Sequence, residues 1–431
     1  MKKWNVLVYP AGTEIGLEIA RSLSFSTHFN LIGANSLHDH SDIIFSNLIA
    51  DLPSVDNKEA LIGEIQRLVR ELEIDILFPA HDEVMELFSS TSFAPTKVIA
   101  PTPEAAKALR YKSATYDALR GVSFLPKIIH QGNAEQTPLP LFARPDRGQG
   151  SVGVFKITAP EQLLQCWEGE RAYIVTEFLP GAEYTVDCYT SRDGKLQYLC
   201  ARERQRIRNG ICVRAAEQDP AEFLPIAEEI TSRIPVRGPW FFQVKRDVDG
   251  VLRLMEVANR VAGTMGFERL KGVNLVQSIL WETLGYSIAL PKVPVATFIY
   301  DRALYEGIKI SEPLEHLYVD LDDTLLFSDG TVNYELLGLL IGLRINRGTK
   351  VTLITRHDRV VEETLSQLGI TEQFDNVVHL DKVESKAAYV VGKNVVFVDD
   401  SYAERAAVAK MNPDAWCIGP ESQRVLSGYL N

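Results

Sequence analysis

Acidic and hydroxylic side chains follow three apolar segments towards the C-terminus, each typical of a buried strand. In chain order they are Asp320, Asp322 and Thr324, then Thr355, then Asp399 and Asp400, with Lys386 before the last segment. Because the carboxyl ends of parallel strands meet at one edge of a sheet, we expect these side chains to lie together. Grouped carboxylates repel one another unless a cation lies among them, which favours Mg²⁺. A single Asp pair could instead cap a helix, but the matched strand ends favour the metal site.

This pattern resembles the haloacid dehalogenase-like hydrolases, whose D-x-D-x-T motif is matched by Asp320, Asp322 and Thr324. The resemblance implies that Asp320 is the nucleophile that accepts a phosphoryl group. It implies that Asp322 protonates the leaving oxygen and then activates water. An Asp at this second position favours a phosphatase, which would act on a phosphoester.

The same resemblance assigns the remaining residues of this site. Thr355 and Lys386 are implied to hold phosphoryl oxygens, and Mg²⁺ is implied to bind Asp320, the backbone carbonyl of Asp322, and Asp399. The intervals on either side of Thr355 are too short for a cap domain. The expected fold is therefore a capless Rossmannoid domain over residues 313–431.

A second region with chemistry is Phe142–Val154, FARPDRGQGSVGV. Arg144 leads into a loop with glycines at positions 148, 150 and 153, and bare glycine backbone can turn N–H groups toward phosphate oxygens. Lys112 opens an upstream helix from which it could also reach phosphates. A surface hairpin and a solvated lysine would show the same residues, so the flanking motifs decide the interpretation.

Gln243 and Glu256 stand on the two strands of a predicted hairpin, Phe241–Lys245 and Val251–Val257. If the register pairs residue 243 with residue 254, both side chains lie on one face as diagonal neighbours, whereas a slip of one residue separates them. Two oxygen ligands on one face suit Mg²⁺ that bridges nucleotide phosphates.

These segments, with Glu177-Phe178-Leu179-Pro180-Gly181 and Glu256-Val257-Ala258-Asn259-Arg260, resemble the ATP-grasp superfamily in its carbamoyl-phosphate-synthetase-like branch. The resemblance implies two α+β lobes that hold ATP, a carboxylate that becomes an acyl phosphate, and an amine that displaces the phosphate. Catalysis of this kind is mainly positioning and charge neutralisation.

The resemblance also implies the roles of individual residues. ATP is expected to contact Lys112, Arg144, Gln149, Ser151, Glu177, Leu179 and Glu183. Mg²⁺ is expected to bind Gln243, Glu256 and Asn259, and Arg260 is expected to stabilise the transferring phosphoryl group.

Two residues depart from the family pattern. Arg144 replaces a lysine before the loop, which keeps the charge but changes the shape. Asn259 stands one position later than in the family's Glu-x-Asn-x-Arg, and one position along a strand is the opposite face. Either the backbone bulges there and Asn259 still binds metal, or a ligand is missing.

Four alternating arginines, Arg202, Arg204, Arg206 and Arg208, are expected to project from one face of a strand. They could guard a solvated edge strand or form a pocket for an acidic substrate. The segment His81-Asp82-Glu83 follows another strand end, where it could bind substrate or cap a helix.

The elements that must position these residues begin with an α/β alternation. An apolar strand at Asn5–Tyr9, a turn at Gly12 and a helix at Glu14–Leu23 open a Rossmann-like parallel sheet. Gly12 and Gly16 lack the third glycine of a dinucleotide fingerprint, so close packing at a turn is the preferred explanation. We expect an α/β and α+β multidomain fold: Rossmann-like residues 1–108, two-lobed ATP-grasp residues 109–312 with a linker, and hydrolase residues 313–431.

Length, charge and cysteine content limit the classes of function. The 431 residues exceed what one core holds, and the net charge of −12 argues against nucleic acid or an anionic membrane as a partner. The five cysteines show no CxxC pair and are expected to be free thiols in a reducing cytoplasm. No apolar run is expected to span a bilayer, and no signal peptide is recognised before the first strand.

The sequence thus predicts a cytoplasmic bifunctional enzyme with ATP and Mg²⁺ as cofactors. Its expected partners are a small-molecule carboxylate, an amine and a phosphoester, and the resemblance is compatible with a homodimer. The alternative is a phosphatase regulated by a catalytically inactive ATP-grasp module that senses a nucleotide or metabolite. The displaced Asn259 favours this alternative.

Overall fold

The computed structural model describes residues 3–24, 26–148, 152–169, 171–208, 210–291, 298–303, 310, 312–381 and 383–430. The chain divides into two compact units, Met1–Leu304 and Tyr305–Asn431, called here the first and second unit. The finer domain limits at residues 108 and 312 stay predictions.

The first unit begins with a parallel sheet of five strands in the order β3-β2-β1-β4-β5. The strands are β1 Trp4–Tyr9, β2 Phe29–Ala34, β3 Leu48–Ile49, β4 Ile76–Pro79 and β5 Lys97–Val98. The helices between them are α1 Glu14–Leu23, α2 Ser41–Ile44, α3 Lys58–Glu71 and α4 Asp82–Ser89. Consecutive residues Val6, Leu7 and Val8 are all fully buried, because helices cover both faces of a parallel sheet. The predicted α/β alternation is confirmed.

A small antiparallel sheet of four strands follows, in the order β6-β9-β7-β8. Two helices lead into it, α5 Pro103–Arg110 and α6 Lys112–Ala118. The sheet contains β6 Ile128–Ile129, β7 Leu141–Pro145, β8 Phe155–Ile157 and β9 Tyr173–Glu177, with α7 Glu161–Trp167 and a 3₁₀ turn at Gln131–Gln136. Gly153, in the glycine-rich loop before β8, has a φ of +77°, a conformation that favours glycine.

A larger antiparallel sheet of six strands completes the first unit, in the order β14-β13-β10-β11-β12-β15. Its strands are β10 Glu183–Thr190, β11 Leu196–Arg208, β12 Ile211–Gln218, β13 Gly238–Arg246, β14 Leu252–Ala258 and β15 Ile299–Asp301. Its helical elements are a 3₁₀ turn at Pro220–Glu222, α8 Leu224–Arg233, α9 Gly266–Leu270 and α10 Leu275–Thr283. Trp240, Phe242 and Val244 of β13 alternate into a core with Val186 of β10, which orients Phe241 and Gln243 to the other face.

The hairpin of β13 and β14 pairs differently from the prediction. Gln243 lies directly opposite Glu256, while Val244 lies opposite Leu254, so Met255 is an extra residue in β14. The predicted 243–254 register is therefore wrong. A β-bulge of this kind adds one residue to one strand and leaves part of its backbone without a ladder partner. It also keeps Gln243 and Glu256 on the same face as direct neighbours.

The second unit is a parallel sheet of five strands in the order β18-β17-β16-β19-β20. The strands are β16 His316–Val319, β17 Lys350–Thr355, β18 Asn376–His379, β19 Val395–Val398 and β20 Ala415–Ile418. The helices are α11 Tyr334–Gly342, α12 Val361–Leu368 and α13 Tyr402–Met411, with short turns at Leu343–Arg347, Thr371–Gln373, Lys386–Ala388 and Pro420–Tyr429. Val319 pairs with Leu353 on one side and Val398 on the other, so β16 and β19 end at the same level and β17 continues two residues further, to Thr355.

Cysteines and helix lengths add two general facts. All five cysteines are free thiols, four of them buried and Cys417 half-buried. Across the described ranges, no helix combines the length and the apolar character needed to cross a membrane.

Candidate active sites

A cleft of about 200 Å³ in the first unit is lined by residues of both antiparallel sheets. Its lining includes seven residues that the sequence predicted to bind ATP or metal: Lys112, Arg144, Glu177, Leu179, Glu183, Gln243 and Glu256. Gly148, Val152 and Val154 of the glycine-rich loop also line it. Gln149 and Ser151, predicted to contact ATP, lie outside the described residues.

The two predicted phosphate-binding cations differ in how they are held. Lys112 donates from Nζ to the carbonyl oxygens of Pro145 at 3.1 Å and Gly148 at 3.3 Å. Burial lowers the pKa of Lys112, and the charge of Glu256 opposes this shift. The buried Arg144 donates to the carbonyl of Met255 at 2.7 Å, so it satisfies the backbone of the bulged residue. Arg144 thus stabilises the β14 bulge as well as lining the cleft.

Glu177 and Glu183, which were predicted to contact ATP, also line the cleft. Glu177 exchanges hydrogen bonds with the backbone of Lys127, accepting on Oε1 at 2.8 Å and donating from its own N at 3.0 Å. Glu183 forms ion pairs with Arg204 at 3.2 Å and with Lys245 at 3.9 Å. Lys245 is not among the residues that the sequence predicted for this site. Its position two residues after Gln243 on the same strand face was the available signal.

Two of the three side chains that were predicted to bind metal here line the cleft. The Glu256 carboxylate and the Gln243 side chain, placed opposite each other, offer oxygen atoms of the kind that Mg²⁺ prefers. Asn259 does not join them, because Oδ1 accepts from the Arg237 backbone N at 3.0 Å and Nδ2 donates to the Arg237 and Pro239 carbonyls. Ala258 lines the adjoining pocket beside Glu256 and provides no oxygen from its side chain. Metal ligation by Asn259 is therefore not supported by this geometry.

A small pocket adjoins the cleft and shares Lys112 and Glu256 with it. Arg260 lies in this pocket and pairs with Asp82, with Nε 2.5 Å from Oδ1 and Nη2 3.1 Å from Oδ2. Burial alone would lower the pKa of Arg260, but the charge and the hydrogen bond of Asp82, together with the charge of Glu256, outweigh it and raise that pKa. Arg110 also lines the pocket. The pocket therefore holds several cations beside the carboxylate of Glu256.

The acidic segment after β4 supplies partners for these cations. Besides the Asp82 contact, Glu83 pairs with Arg110 at 3.0 Å and with Arg147 at 2.7 Å. His81 also caps α4, since its ring accepts from the Glu83 backbone N at 3.3 Å. Asp82 therefore lines the pocket and His81 caps the helix, so the segment meets both expectations.

The four alternating arginines do not share one surface. Arg202 is fully buried and bonds to Asp187 and to Thr264, while Arg204 lines the cleft. The pairing of β11 with β12 shifts around residue 206, and Arg206 and Arg208 are exposed. The expected single face is wrong because irregular pairing breaks the alternation of the strand.

The strand-end acids of the second unit do converge. Lys386 Nζ lies 2.8 Å from Asp320 Oδ1 and 2.7 Å from Asp399 Oδ2, and all three side chains are buried. Oxygen atoms of Asp320, Asp399 and Asp400 lie within 4.8 Å of one another. Burial raises the pKa of Asp320 to about 6; the charge of Lys386 opposes this shift and that of Asp399 adds to it. Three clustered carboxylates with one ammonium suit a divalent cation.

Hydroxyl groups complete this edge of the sheet. Thr324 Oγ1 accepts from the Asp400 backbone N at 3.0 Å and so joins two strand ends. Thr355 is buried at the end of β17, and within the described part of the chain its hydroxyl has no hydrogen-bond partner. The half-exposed Asp322 contacts His357, which is not among the residues that the sequence predicted for this site. The only signal for His357 was a titratable residue just after Thr355.

The match to a family model covers only part of the chain. Residues 170–300 match a family model described as ATP-grasp in the biosynthetic pathway with Ter operon. No curated protein matches the chain. The similarity of the second unit to haloacid dehalogenase-like hydrolases stays a prediction.

Several solved structures share the fold over about two thirds of this chain. Biotin carboxylase from Campylobacter jejuni, in a βγ-ATP complex, has a TM-score of 0.55 and 14% identity, covering 66% of this chain and 72% of its own. N5-carboxyaminoimidazole synthetase from Staphylococcus aureus, complexed with ADP, has a TM-score of 0.54 and 13% identity, covering 67% and 79%. L-amino acid ligase from Bacillus licheniformis has a TM-score of 0.53 and 17% identity, covering 66% and 74%. The matched family model and the shared fold together support the ATP-grasp superfamily for the part of the chain that carries the cleft.

Proposed function

We propose that the chain is a bifunctional enzyme whose first unit joins a small carboxylate to an amine through an acyl phosphate, converting ATP to ADP and phosphate. The observation that carries this proposal is the convergence of Lys112, Glu183, Gln243 and Glu256 on one cleft, next to a pocket with Arg260. A cationic pocket beside a metal-binding carboxylate suits a reaction in which phosphoryl charge moves toward a carboxylate substrate. The L-amino acid ligase among the similar structures is consistent with an amine acceptor.

Each residue has a defined task in this proposal. Glu256 and Gln243 hold Mg²⁺, which neutralises phosphate charge when bound. Lys112 keeps a proton donor within the cleft, because two carbonyl acceptors orient its ammonium group. Arg260 is oriented by Asp82 and stabilises the transferring phosphoryl group.

The second unit is proposed to be a phosphatase for a phosphoester. Asp320 is the nucleophile, and Lys386 favours its ionised form although burial disfavours that form. The hydroxyl of Thr355 and the ammonium of Lys386 are available to phosphoryl oxygens. Asp320, the Asp322 carbonyl and Asp399 hold Mg²⁺, and the Asp322 carboxyl exchanges a proton with the leaving oxygen. The buried Asp320–Lys386–Asp399 cluster is what supports this assignment.

A crossed pair of variants tests both activities in the full chain. Glu256→Gln removes a metal-binding charge from the first unit, and Asp320→Asn removes the nucleophile of the second. We expect Glu256→Gln to lower ADP release at least about 100-fold while phosphate-ester hydrolysis stays within about twofold of wild type, and Asp320→Asn to do the reverse. The measurements are ADP release over panels of carboxylates and amines, and phosphate release from 4-nitrophenyl phosphate.

Each variant serves as the control for the other. If Asp320→Asn retains the hydrolysis, the phosphatase assignment is wrong. If Glu256→Gln leaves ATP turnover intact, the ligase assignment is wrong.

A second candidate function follows from the lack of a third metal ligand among the described residues of the cleft. The amide of Asn259 is bonded to the Arg237 backbone, and Ala258, beside Glu256 in the pocket, has no side-chain oxygen that could replace it. In this alternative, the first unit senses a nucleotide or metabolite and the phosphatase alone turns over. Calorimetry with ATP and Mg²⁺, followed by ADP-release assays, separates the two functions. Binding without ADP release over the whole substrate panel would favour the sensor.

A further inference from the structure

His357 lies next to the side chain that acts as the acid in the proposed phosphatase. Its Nδ1 atom is 2.8 Å from Asp322 Oδ1 and 3.1 Å from Asp322 Oδ2. The Asp322 side chain is 48% exposed, whereas the His357 side chain is 10% exposed. A mostly buried ring therefore contacts a carboxyl group that is half-exposed to solvent.

Neighbouring residues fix the orientation of the His357 ring. Its Nε2 atom is 2.9 Å from the hydroxyl of Thr364, in the first turn of α12. The backbone carbonyl of His357 accepts a hydrogen bond from His379 Nε2 at 2.7 Å. The preceding Arg356 donates to the Glu384 carbonyl and pairs with Glu404. The loop after β17 is thus held from several elements, with Nδ1 directed at Asp322.

We propose that His357 is a positioning residue, which holds the Asp322 carboxyl so that Asp322 can protonate the departing alcohol of a phosphomonoester. This inference rests on the proposed phosphatase function. In the step concerned, an Asp320 oxygen bonds to phosphorus, the bond between phosphorus and the alcohol oxygen breaks, and the Asp322 proton moves to that oxygen. A carboxyl that is half-exposed and unsupported would adopt the productive orientation less often.

The basicity of the leaving group separates this role from a purely structural one. An alkyl alcohol needs a proton as it departs, whereas 4-nitrophenolate leaves readily without one. Loss of the contact with His357 should therefore slow alkyl esters selectively. Damage to folding or to phosphate binding would slow both kinds of ester alike.

The experiment compares 4-nitrobenzyl phosphate with 4-nitrophenyl phosphate, two esters of similar shape, using the full chain with Mg²⁺. The quantity measured is kcat/KM, which covers the steps up to departure of the alcohol. His357→Gln can keep a contact with Thr364, while His357→Asn places its amide near the position of Nδ1. We expect His357→Gln to lower kcat/KM for the nitrobenzyl ester about 10- to 100-fold and for the nitrophenyl ester less than about threefold, with His357→Asn between Gln and wild type.

A double-mutant cycle provides the matched control. In an Asp322→Asn background, His357→Gln should cause no further selective loss, because the acid it positions is absent. Equal losses on both esters in the wild-type background, or no loss on either, would overturn the role of His357 and leave the phosphatase proposal standing. Hydrolysis that is absent from wild type, or that survives Asp320→Asn, would overturn both. Unfolding temperatures identify a misfolded variant, in which case the Asn variant decides by the same ester comparison.

Discussion

Lys386 is the residue on which the charge balance of the second unit depends. It contacts one oxygen of Asp320 and one of Asp399, and the three side chains are shielded from water. Burial would lower the pKa of Lys386, but the two carboxylates outweigh it and raise that pKa. One ammonium between two carboxylates leaves a net negative charge, which a divalent cation would balance.

Removing that ammonium should therefore destabilise the second unit. Lys386→Met leaves two buried carboxylates without their cation, and we expect the free energy of unfolding to fall by about 3 kcal/mol in the absence of Mg²⁺. Added Mg²⁺ should restore a substantial part of this loss, because it binds the same carboxylates. Urea unfolding with and without Mg²⁺ measures the effect. The exposed Lys393→Met is the control, and an equal loss in that variant would contradict the explanation.

At the scale of elements, one carboxylate links the start of β17 to the helical turn after α11. Asp375 accepts from the Val351 backbone N at 2.8 Å and from Arg344 Nε at 3.1 Å. The bond from Val351 has the largest effect and lowers the pKa of Asp375; burial opposes this shift, and the contacts with Arg344 lower that pKa further. The ionised carboxylate therefore stabilises the start of β17 and the turn that contains Arg344.

The sign of this shift predicts a pH dependence. Because the folded pKa lies below the unfolded value of about 3.9, the contribution of Asp375 is complete above about pH 5 and is lost as pH falls through the folded pKa. We expect Asp375→Asn to cost about 1 kcal/mol at pH 7, with the difference from wild type shrinking toward pH 3. Chemical unfolding over this pH range measures it, with the exposed Asp414→Asn as control. A difference that stays constant with pH would exclude the charged contact as its cause.

At the scale of the whole molecule, each unit has hydrophobic cores of its own. Leu317, Leu340 and Val398 belong to one core of the second unit, and Val186, Trp240 and Phe242 belong to one core of the first. Separate cores can unfold in separate transitions when each holds enough buried apolar surface.

Binding of ATP and a substitution in the core of the second unit should therefore shift different unfolding transitions. ATP with Mg²⁺ at about 100 times its Kd should stabilise the first unit by about 2.7 kcal/mol, because it binds only the folded cleft. Leu340→Ala should lower the stability of the second unit by about 2–5 kcal/mol through the cavity it creates. Calorimetry of the full chain can resolve both shifts. A single transition that moves with both changes would contradict separate unfolding.

Residue types and their order in the chain were sufficient to predict most of both candidate sites. Strand-end placement brought Asp320 and Asp399 together as expected, since neighbouring parallel strands end at one edge, and Lys386 reaches both from the turn at Lys386–Ala388. The cleft likewise contains Lys112 and Glu256, which are far apart in sequence. These predictions depended on strand direction and strand ends, which local patterns specify well.

Register, bulges and side-chain partners were decided only by the tertiary structure. The extra residue Met255 placed Glu256 opposite Gln243, and the backbone around Arg237 engaged the amide of Asn259. The contact between His357 and Asp322 likewise depends on a loop held by other elements. The sequence by itself determined which chemical groups reach each sheet edge, because alternation and strand ends are local properties. Which groups touch was decided by long-range packing, because a single inserted residue changes every partner beyond it.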